Sequence, residues 1–363
     1  MANKGKMSAK QHAAKQKRKM ILFVIEIIII LIMVAVLYLV MNKSSEGPKV
    51  AYLDPEVVAI PEEVKQQTEE GGTMHGYMNI ALFGVDAETD SQLFKSSRSD
   101  SIMIANINLD TGDIKLVSVY RDTYLNIGTD EYRKCNAAYS FGGAEQAVKM
   151  LNMNLDMDIV NFITVGYKGL SEVIDGLGGI YIDVDSEELK HINNYQVGVA
   201  NVLKSEYTPV TEPGYQLLNG IQATAYCRIR QTKGDDFQRA SRQREVIQAI
   251  EAQAKKTDLI TLTKVFNDCI DDIYTSLDSS DILKLLENIA NYRIVDEDGF
   301  PQANLRGNAN MGAKGACVIP TDLEANVVWL HEFLFGDEDY TVTESVKEYS
   351  EKIKTDTAAY LEK

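Results

Sequence analysis

Arginine is the residue type whose placement in this 363-residue chain most suggests chemistry. A guanidinium group presents a planar fork of N–H donors that can bind two phosphate oxygens at once, which the point charge of lysine cannot do. Six arginines fall at predicted strand ends or near the start of a predicted helix: Arg98, Arg121, Arg228, Arg230, Arg239 and Arg242. We therefore predict a binding site for a phosphorylated ligand.

Two aspartates accompany these arginines. Asp86 follows the first predicted strand, and Asp100 ends the sequence Arg-Ser-Asp at 98–100. Mg²⁺ in proteins usually binds one or two carboxylates together with phosphate oxygens. The pair therefore predicts a magnesium site beside the phosphate, although the sequence does not decide between Mg²⁺ and Mn²⁺.

A long predicted helix over 236–255 begins close to the same group. Arg239, Arg242 and Gln243 have the spacing i, i+3, i+4, so we expect them to share one face of its first turns. Free backbone N–H groups and the positive end of the helix dipole favour an anion there. Asp235 or Asp236 is the expected N-cap residue, and Asp236 lies beside the expected anion. Arg228 and Arg230, if extended, would point to one side of the chain.

Composition excludes several classes of protein. A formal net charge of −16 argues against a chain-wide nucleic-acid binder, which needs positive faces. The sequence lacks HExxH, GxSxG, CxxC and a phosphate loop ending in Gly-Lys-Ser/Thr. Four histidines leave little for a multi-histidine metal centre. The cysteines could form disulfides or be buried free thiols, and the sequence leaves both open: Cys135, Cys227, Cys269 and Cys317.

An apolar segment at 20–41 contains one charged residue, Glu26. Its 22 residues, at about 1.5 Å each, would span a bilayer core of roughly 30 Å. The seven basic residues in 1–19 predict a cytoplasmic N-terminus by the positive-inside rule. A cleaved secretory signal is the alternative, but the segment is too long and no small-residue cleavage site follows.

In either case residues 42–363 are predicted to lie outside the cytoplasm. The chain totals −16, residues 1–19 hold seven bases, and 20–41 hold one acid, so 42–363 carry −22. We predict a polar stalk over 42–76, one domain over 77–336, and an acidic C-terminal tail over 337–363 that is disordered or a loose helix.

Within 77–336, strands are predicted at 79–85, 101–108, 114–120, 180–184 and 317–319. A turn at 110–113 predicts that the second and third form a hairpin. Helices are predicted at 143–154, 169–177, 214–229, 236–255, 257–274, 278–292 and 322–334. Interleaved strands and helices with a hairpin favour an α/β fold with a mixed sheet covered on both faces.

Seven stretches of this chain resemble, in order, the motifs of the LytR-CpsA-Psr (LCP) family of membrane-anchored cell-wall enzymes. The stretches, which cover roughly 77–250, are NIALFGVD (79–86), RSDSIMI (98–104), VSVYRDTYLNI (117–127), KCNAAYSFGG (134–143), DGLGGIYIDV (175–184), GYQLLNGIQATAYCRIR (214–230) and DFQRASRQR (236–244). The resemblance implies an α-β-α sandwich with a mixed central sheet, after one N-terminal transmembrane helix. It also implies an apolar tunnel for a polyprenyl lipid. The run at 150–167 could line such a groove or belong to the core.

The resemblance further implies a phosphotransferase that moves a glycopolymer, such as wall teichoic acid or capsule, from polyprenyl pyrophosphate to peptidoglycan. Asp86 and Asp100 match its magnesium-side carboxylates, and Asp236 matches the position suggested for proton abstraction. The matching pyrophosphate-binding positions are Arg98, Arg121, Arg228, Arg230, Arg239, Arg242 and Gln243, and we expect Arg121, Arg228 and Asp236 to be catalytic.

One position departs from the family pattern, because Tyr120 replaces the usual proline before Arg121. Two other functions remain open. One is a hydrolase that releases polyprenyl phosphate without transferring the polymer. The other is a non-enzymatic, membrane-anchored protein that binds the wall or regulates it.

Overall fold

The computed structural model describes residues 49–87, 90–232 and 235–361. The predicted cytoplasmic tail, the apolar segment at 20–41 and Glu26 lie outside these ranges and stay predictions. Within the described ranges, no helix has the length and hydropathy needed to cross a membrane.

The described residues form thirteen strands and eleven α-helices. The strands are β1 (Lys49–Val50), β2 (Tyr77–Val85), β3 (Ser99–Asn108), β4 (Asp113–Val119), β5 (Tyr124–Asn126), β6 (Tyr132–Lys134), β7 (Asn161–Val165), β8 (Ile180–Val184), β9 (Gly214–Leu218), β10 (Ile273–Thr275), β11 (Arg293–Phe300), β12 (Arg306–Asn310) and β13 (Ala316–Pro320). The helices are α1 (Glu62–Thr68), α2 (Asp90–Phe94), α3 (Ala137–Leu155), α4 (Tyr167–Gly176), α5 (Ser186–Leu203), α6 (Gly220–Tyr226), α7 (Asp235–Ala254), α8 (Leu259–Cys269), α9 (Ser279–Glu287), α10 (Leu323–Phe335) and α11 (Glu344–Leu361).

Seven strands build a central mixed sheet in the order β1-β10-β7-β2-β3-β4-β11. β2 is parallel to β7 and antiparallel to β3, and β3 pairs with β4 in the predicted hairpin. Side chains alternate along β2, so Phe83 enters one core and Ile80 enters another. Helices α3, α10 and α11 contribute to the first core, and α9 packs against the second. The predicted α/β fold with a mixed central sheet is confirmed.

Residues predicted as a stalk are packed into the domain from residue 49 onward. β1 pairs with β10, and Leu53, Val58 and Met74 are fully buried in the first core. The prediction of a stalk over 42–76 is wrong for this described part. This stretch is mostly polar and contains few apolar residues, so its sequence does not show that they belong to the core. Their contacts with distant elements show it.

The C-terminal residues also fold onto the domain, contrary to the prediction of a disordered or loose tail. Helix α11 buries Val346, Ser350, Ile353 and Thr357, whose spacing of four, three and four residues defines one helix face. Two of the four are polar, which hides the face from a search for apolar periodicity. The folded domain therefore extends to residue 361.

Three other differences concern secondary structure and the thiols. The short helix predicted within 214–229 is helix α6, which follows the unpredicted strand β9, and the predicted helix at 257–274 ends at Cys269 before strand β10. Helix α5 and strands β7 and β11 were not predicted. All four cysteines are free thiols, and Cys135, Cys269 and Cys317 are buried.

Candidate active site

A cavity of about 360 Å³ lies between one face of the central sheet and the helices that cover that face. Strands β2, β3 and β7 supply apolar side chains from below, and α4, α5, α6 and α7 close it from above. The apolar lining includes Leu82, Met103, Ile163, Leu170, Val246 and Ile247. A cavity with this lining suits a hydrocarbon chain. The 150–167 run contributes Ile163 to it, while Met150, Leu151 and Met157 are fully buried in the first core.

One end of this cavity is polar and charged. Its lining includes Asp86, Asp100, Arg228, Arg230, Arg239 and Gln243, six of the residues that sequence reasoning singled out. β2 ends directly before Asp86, whereas Asp100 is the second residue of the antiparallel neighbour β3. Opposite ends of two antiparallel strands meet at one edge of a sheet, which brings the two carboxylates together.

A β-bulge determines where Asp100 points. Gly84 pairs with Ser101 but Val85 pairs with Ser99, so Asp100 is the extra residue between them. Bulges redirect side chains and are common beside active sites. Gly84 lets the two strands approach closely here, because a Cβ at that position would lie 3.0 Å from the Cβ of Ser101 and would have to push it aside.

Asp100 is the centre of an ion-pair cluster. Its Oδ1 lies 2.7 Å from Nη1 of Arg121, and its Oδ2 lies 2.7 Å from Nη2 of Arg230 and 3.9 Å from Nη1 of Arg239. Burial on its own would raise the pKa of Asp100, but Arg121, Arg239 and Arg230 outweigh it, and the pKa is lowered. Asp100 is therefore a stable anion that holds three guanidinium groups in place.

The pKa of Asp236 is shifted in the opposite direction from that of Asp100. Its Oδ1 lies 2.9 Å from Nη2 of Arg239 and 3.5 Å from Nε of Arg121. Burial raises the pKa of Asp236, and the attraction of these two arginines does not cancel that effect. Of the two carboxylates, Asp236 is the better proton acceptor.

Two arginines in the cluster carry N–H groups that lack acceptors. Nε of Arg121 and both Nε and Nη1 of Arg239 are buried without a hydrogen-bond partner among the described residues. Burial, together with nearby Arg121 and Arg230, lowers the pKa of Arg239 to about 10, although Asp236 opposes the shift. Buried donors are nearly always hydrogen-bonded in folded proteins. An anion at this end of the cavity would supply the missing acceptors and stabilise the charge.

Arg228 and Asp86 are joined through Tyr167, a residue that sequence reasoning missed. The guanidinium carbon of Arg228 lies 4.4 Å from the centroid of the Tyr167 ring. Burial, and next a hydrogen bond to Asp86, raises the pKa of the Tyr167 hydroxyl. Tyr167 begins α4 directly after β7, at the same sheet edge as Asp86. A prediction of β7 would have drawn attention to it.

Four predicted site residues do not line the cavity. Arg121 and Asp236 lie beside it, ion-paired with the lining residues Asp100 and Arg239, whereas Arg98 and Arg242 have other surroundings. Arg98 is exposed, does not line the cavity, and makes no ion pair with another described residue. Arg242 is buried, with its Nε 2.7 Å from Oε1 of Glu188 and its Nη1 donating to the carbonyl of Ile229. At about 100° per residue, Gln243 lies about 40° from Arg239 on the helix, whereas Arg242 lies about 60° away on the other side. Arg242 therefore holds the backbone between Arg228 and Arg230 instead of facing the ligand.

Tyr120 makes a backbone hydrogen bond and ring contacts that a proline at this position could not make. Its N–H donates to the carbonyl of Phe300 at 3.0 Å, and its ring packs edge-on against Phe237 with centroids 4.6 Å apart. The guanidinium of Arg306 lies over both rings. The departure from the family pattern is thus accommodated next to Arg121 without moving a charged group away from the site.

Comparisons with known proteins agree with this arrangement. A teichoic acid transferase named TagU from Halalkalibacterium halodurans is 29% identical over 215 residues, 58% of this chain and 64% of the relative. The chain thus matches less than two thirds of that relative's length. A solved structure described as TagT bound to LI-WTA has a TM-score of 0.57 and 21% identity, covering 75% of this chain and 94% of the other.

A second solved structure is described as the LytR-CPS2A-psr family protein YwtF (TagT) with bound octaprenyl pyrophosphate lipid. It has a TM-score of 0.50 and 18% identity, covering 80% of this chain and 94% of the other. At these identities the structural likeness establishes the fold alone. The model of the LytR_cpsA_psr family matches residues 42–328, most of the chain. This protein belongs to the LytR-CpsA-Psr family.

Proposed function

We propose that this protein is a phosphotransferase that moves a glycopolymer from polyprenyl pyrophosphate to peptidoglycan and forms a phosphodiester. The polymer would be a wall teichoic acid, a capsule or another secondary wall polysaccharide. The observation that carries the proposal is an apolar cavity that ends in buried arginine N–H groups without acceptors. A polyprenyl pyrophosphate has the same division into a hydrocarbon chain and a diphosphate.

The named relatives support this choice of donor and acceptor. The TagU relative is named a polyisoprenyl-teichoic acid–peptidoglycan transferase. The solved TagT structures are described with a bound wall teichoic acid precursor and with a polyprenyl pyrophosphate lipid. Family membership and a cavity of the required polarity extend these properties to the present chain as a proposal.

Phosphoryl transfer depends on positioning and charge stabilisation more than on covalent chemistry by the protein. Arg121, Arg228, Arg230 and Arg239, with Gln243, would bind the diphosphate and stabilise charge that develops on its oxygens. Arg98 would have to approach from the exposed side of the same sheet edge.

Asp236 would take the proton. A peptidoglycan hydroxyl attacks the phosphorus on the sugar side, a new P–O bond to the acceptor forms, and the bond to polyprenyl phosphate breaks. Asp236 accepts the proton of the attacking hydroxyl, consistent with the raised pKa that burial gives its carboxyl group. Polyprenyl phosphate then leaves with the bonding electrons.

Asp86 and Asp100 both line the charged end of the cavity and are the oxygen donors that could hold a divalent cation, with the oxygens of Asp100 shared with Arg121 and Arg230. The described residues contain no group of three or more metal-ligating side chains, so phosphate oxygens would have to complete the shell. This suits Mg²⁺, which commonly binds one or two carboxylates plus substrate phosphates. When bound, Mg²⁺ or Mn²⁺ would neutralise part of the diphosphate charge.

The location of the protein is part of the proposal. The apolar segment at 20–41 would be a single-pass anchor with a cytoplasmic N-terminus, which puts the catalytic domain outside the cell membrane. This placement suits the function, because the tail of a lipid-linked donor would lie in the same bilayer.

A donor assay with and without peptidoglycan tests the proposal. The full chain in detergent receives a lipid-linked glycopolymer, and the products are a covalent polymer–peptidoglycan adduct and polyprenyl phosphate. We expect the adduct only when peptidoglycan is present, and its loss in Arg121→Ala. Release of polyprenyl phosphate at the same rate without an acceptor would instead identify a hydrolase. No binding of the donor at all would favour a regulatory protein.

A further inference from the structure

Strands β8 and β9 form a separate two-stranded sheet whose outer face is exposed. Ile180, Ile182 and Leu218 point inward and are buried in the core between α4, α5, α6 and α7. The outward positions include Tyr181, Tyr215 and Leu217, with exposed fractions of 45%, 72% and 48%. We refer to these three residues as the tyrosine face. Contiguous exposed apolar side chains of this size commonly mark an interaction site.

The two tyrosines of this face already stack on each other. Their ring centroids are 5.3 Å apart and the ring planes differ by 18°. Neither hydroxyl has a hydrogen-bond partner among the described residues. The pair therefore presents a flat platform with free hydrogen-bonding groups, supplied by side chains that lose little conformational entropy on binding.

A polar depression continues from the tyrosine face. A cavity of about 260 Å³ is bordered by Leu217 of that face and by Asp175, Thr208, Asn219 and Gln222. Tyr207, which precedes Thr208, is itself 40% exposed. The tyrosine face thus adjoins a polar depression, whose side chains also hydrogen-bond to local backbone groups.

The charge of this surface restricts what can bind it. The two segments that form it, 169–184 and 205–222, contain five acidic residues and no lysine or arginine, and one exposed lysine, Lys204, directly precedes the second segment. Phosphate-rich polymers and anionic lipid surfaces would be repelled. An uncharged partner that combines apolar patches with hydroxyl groups would not be repelled.

We infer that the tyrosine face binds an uncharged glycan strand. A pyranose ring has apolar C–H faces that stack on aromatic rings and a rim of hydroxyl groups that hydrogen-bond to carboxylate, amide and phenol groups. Tyr181, Tyr215 and Leu217 would contact the faces of the sugars, and the side chains of the depression would contact their edges. This site is separate from the diphosphate cavity, and the inference does not depend on the transfer reaction.

Sedimentation with insoluble chitin, an uncharged polymer of N-acetylglucosamine, tests the inference. The full chain in detergent should bind this material, and the double variant Tyr181→Ser/Tyr215→Ser should lose roughly tenfold or more in affinity. Tyr52→Ser is the matched control, because Tyr52 is 82% exposed outside this surface and its loss should not alter binding. Unchanged thermal unfolding of the double variant would show that the fold is intact.

Two outcomes would overturn the inference. One is equal binding by the double variant and the control. The other is a loss of binding to anionic phospholipid vesicles without a loss of binding to the glycan, which would identify a membrane contact. Polymer transfer by the double variant is measured separately in the donor assay. Failure of glycan binding and failure of polymer transfer are therefore separate results.

Discussion

Two buried arginines of α7 are only three residues apart but differ in how many of their N–H groups are hydrogen-bonded. Arg239 faces the cavity with two N–H groups that have no acceptor, and its side chain is 4% exposed. Arg242 is 5% exposed and lies about 60° away around the helix, where it pairs with Glu188 and donates to the carbonyl of Ile229 and the hydroxyl of Thr232. The two side chains are buried to the same extent, but only Arg239 has buried nitrogen atoms that make no hydrogen bond.

This difference separates a binding region from a structural one. The Arg242 network is complete, because Glu188 also accepts a hydrogen bond from the backbone N–H of Asp185. Completed polar networks make a core specific and rigid. The Arg239 region is incomplete without a ligand, because Nη2 of Arg239 pairs with Asp236 but its Nε and Nη1 make no hydrogen bond. We therefore assign function by unpartnered donors beside a cavity, and not by burial or by motif membership.

The largest effect is expected from breaking the completed network. Arg242→Met should lower the free energy of unfolding by about 3–5 kcal/mol, because Glu188 would be left as a buried charge without its partner. Denaturant unfolding measures this. Adding Glu188→Gln to the variant should recover part of the loss, since a neutral amide can stay buried more cheaply. A single variant as stable as the wild type would remove the distinction between the two regions.

Arg239→Met should lower the rate of polymer transfer more than it lowers stability. Loss of one preorganised donor commonly lowers a rate by about 100- to 1,000-fold, or roughly 3–4 kcal/mol, and we expect this loss in polymer transfer. Stability should fall less than in Arg242→Met, because burial already disfavours the charged form of Arg239 and Asp236 keeps Arg121 as a second partner. Arg293→Met, at an exposed ion pair with Asp113, is the control for both measurements. A normal transfer rate in the Arg239 variant would contradict its assignment.

His331 tests whether an unpartnered buried atom away from the cavity also signals function. Its Nδ1 has no hydrogen-bond partner among the described residues, and the ring stacks on Tyr340 in the first core. Burial lowers the pKa of His331 to about 4, so between pH 6.5 and 4 the unfolded chain binds more protons than the folded one. Stability should therefore fall by about 3 kcal/mol as the pH drops through this window.

His331→Gln should flatten this pH dependence, as followed by denaturant unfolding at several pH values, and leave polymer transfer at neutral pH unchanged. Loss of transfer in a folded His331 variant would mean that a missing partner indicates function even without an adjoining cavity. An unchanged pH dependence would show that other groups cause the acid sensitivity.

Local sequence patterns predicted the sheet where they were strong. β3, β4 and β8 alternate clearly and were predicted within two residues, whereas β11 carries three acidic residues and exists because it pairs with β4 at a sheet edge. The ligand-facing arginines were predicted because strand ends and motif spacing are local features. The position of Arg242 and the part played by Tyr167 depend on contacts with Glu188 and Asp86, far away in the sequence.

The smallest effect should distinguish positions within the binding region itself. Arg230 pairs with Asp100 like its neighbours, but its side chain is 37% exposed, compared with 4% for Arg239. Water and salt screen an exposed charge, so Arg230→Ala should slow polymer transfer by only about tenfold. Raising the salt from about 0.05 to 0.5 M shortens the Debye length several-fold and should narrow the gap between this variant and the wild type.

The corresponding gap for Arg239→Met should persist at high salt, because its buried guanidinium is shielded from the solvent ions. Transfer rates of the three proteins at two salt concentrations measure this. Equal losses for the two variants, or equal sensitivity to salt, would mean that burial does not set how strongly each arginine acts on the diphosphate. Graded losses would instead support a diphosphate bound with one side against Arg239 and the other toward the solvent beside Arg230.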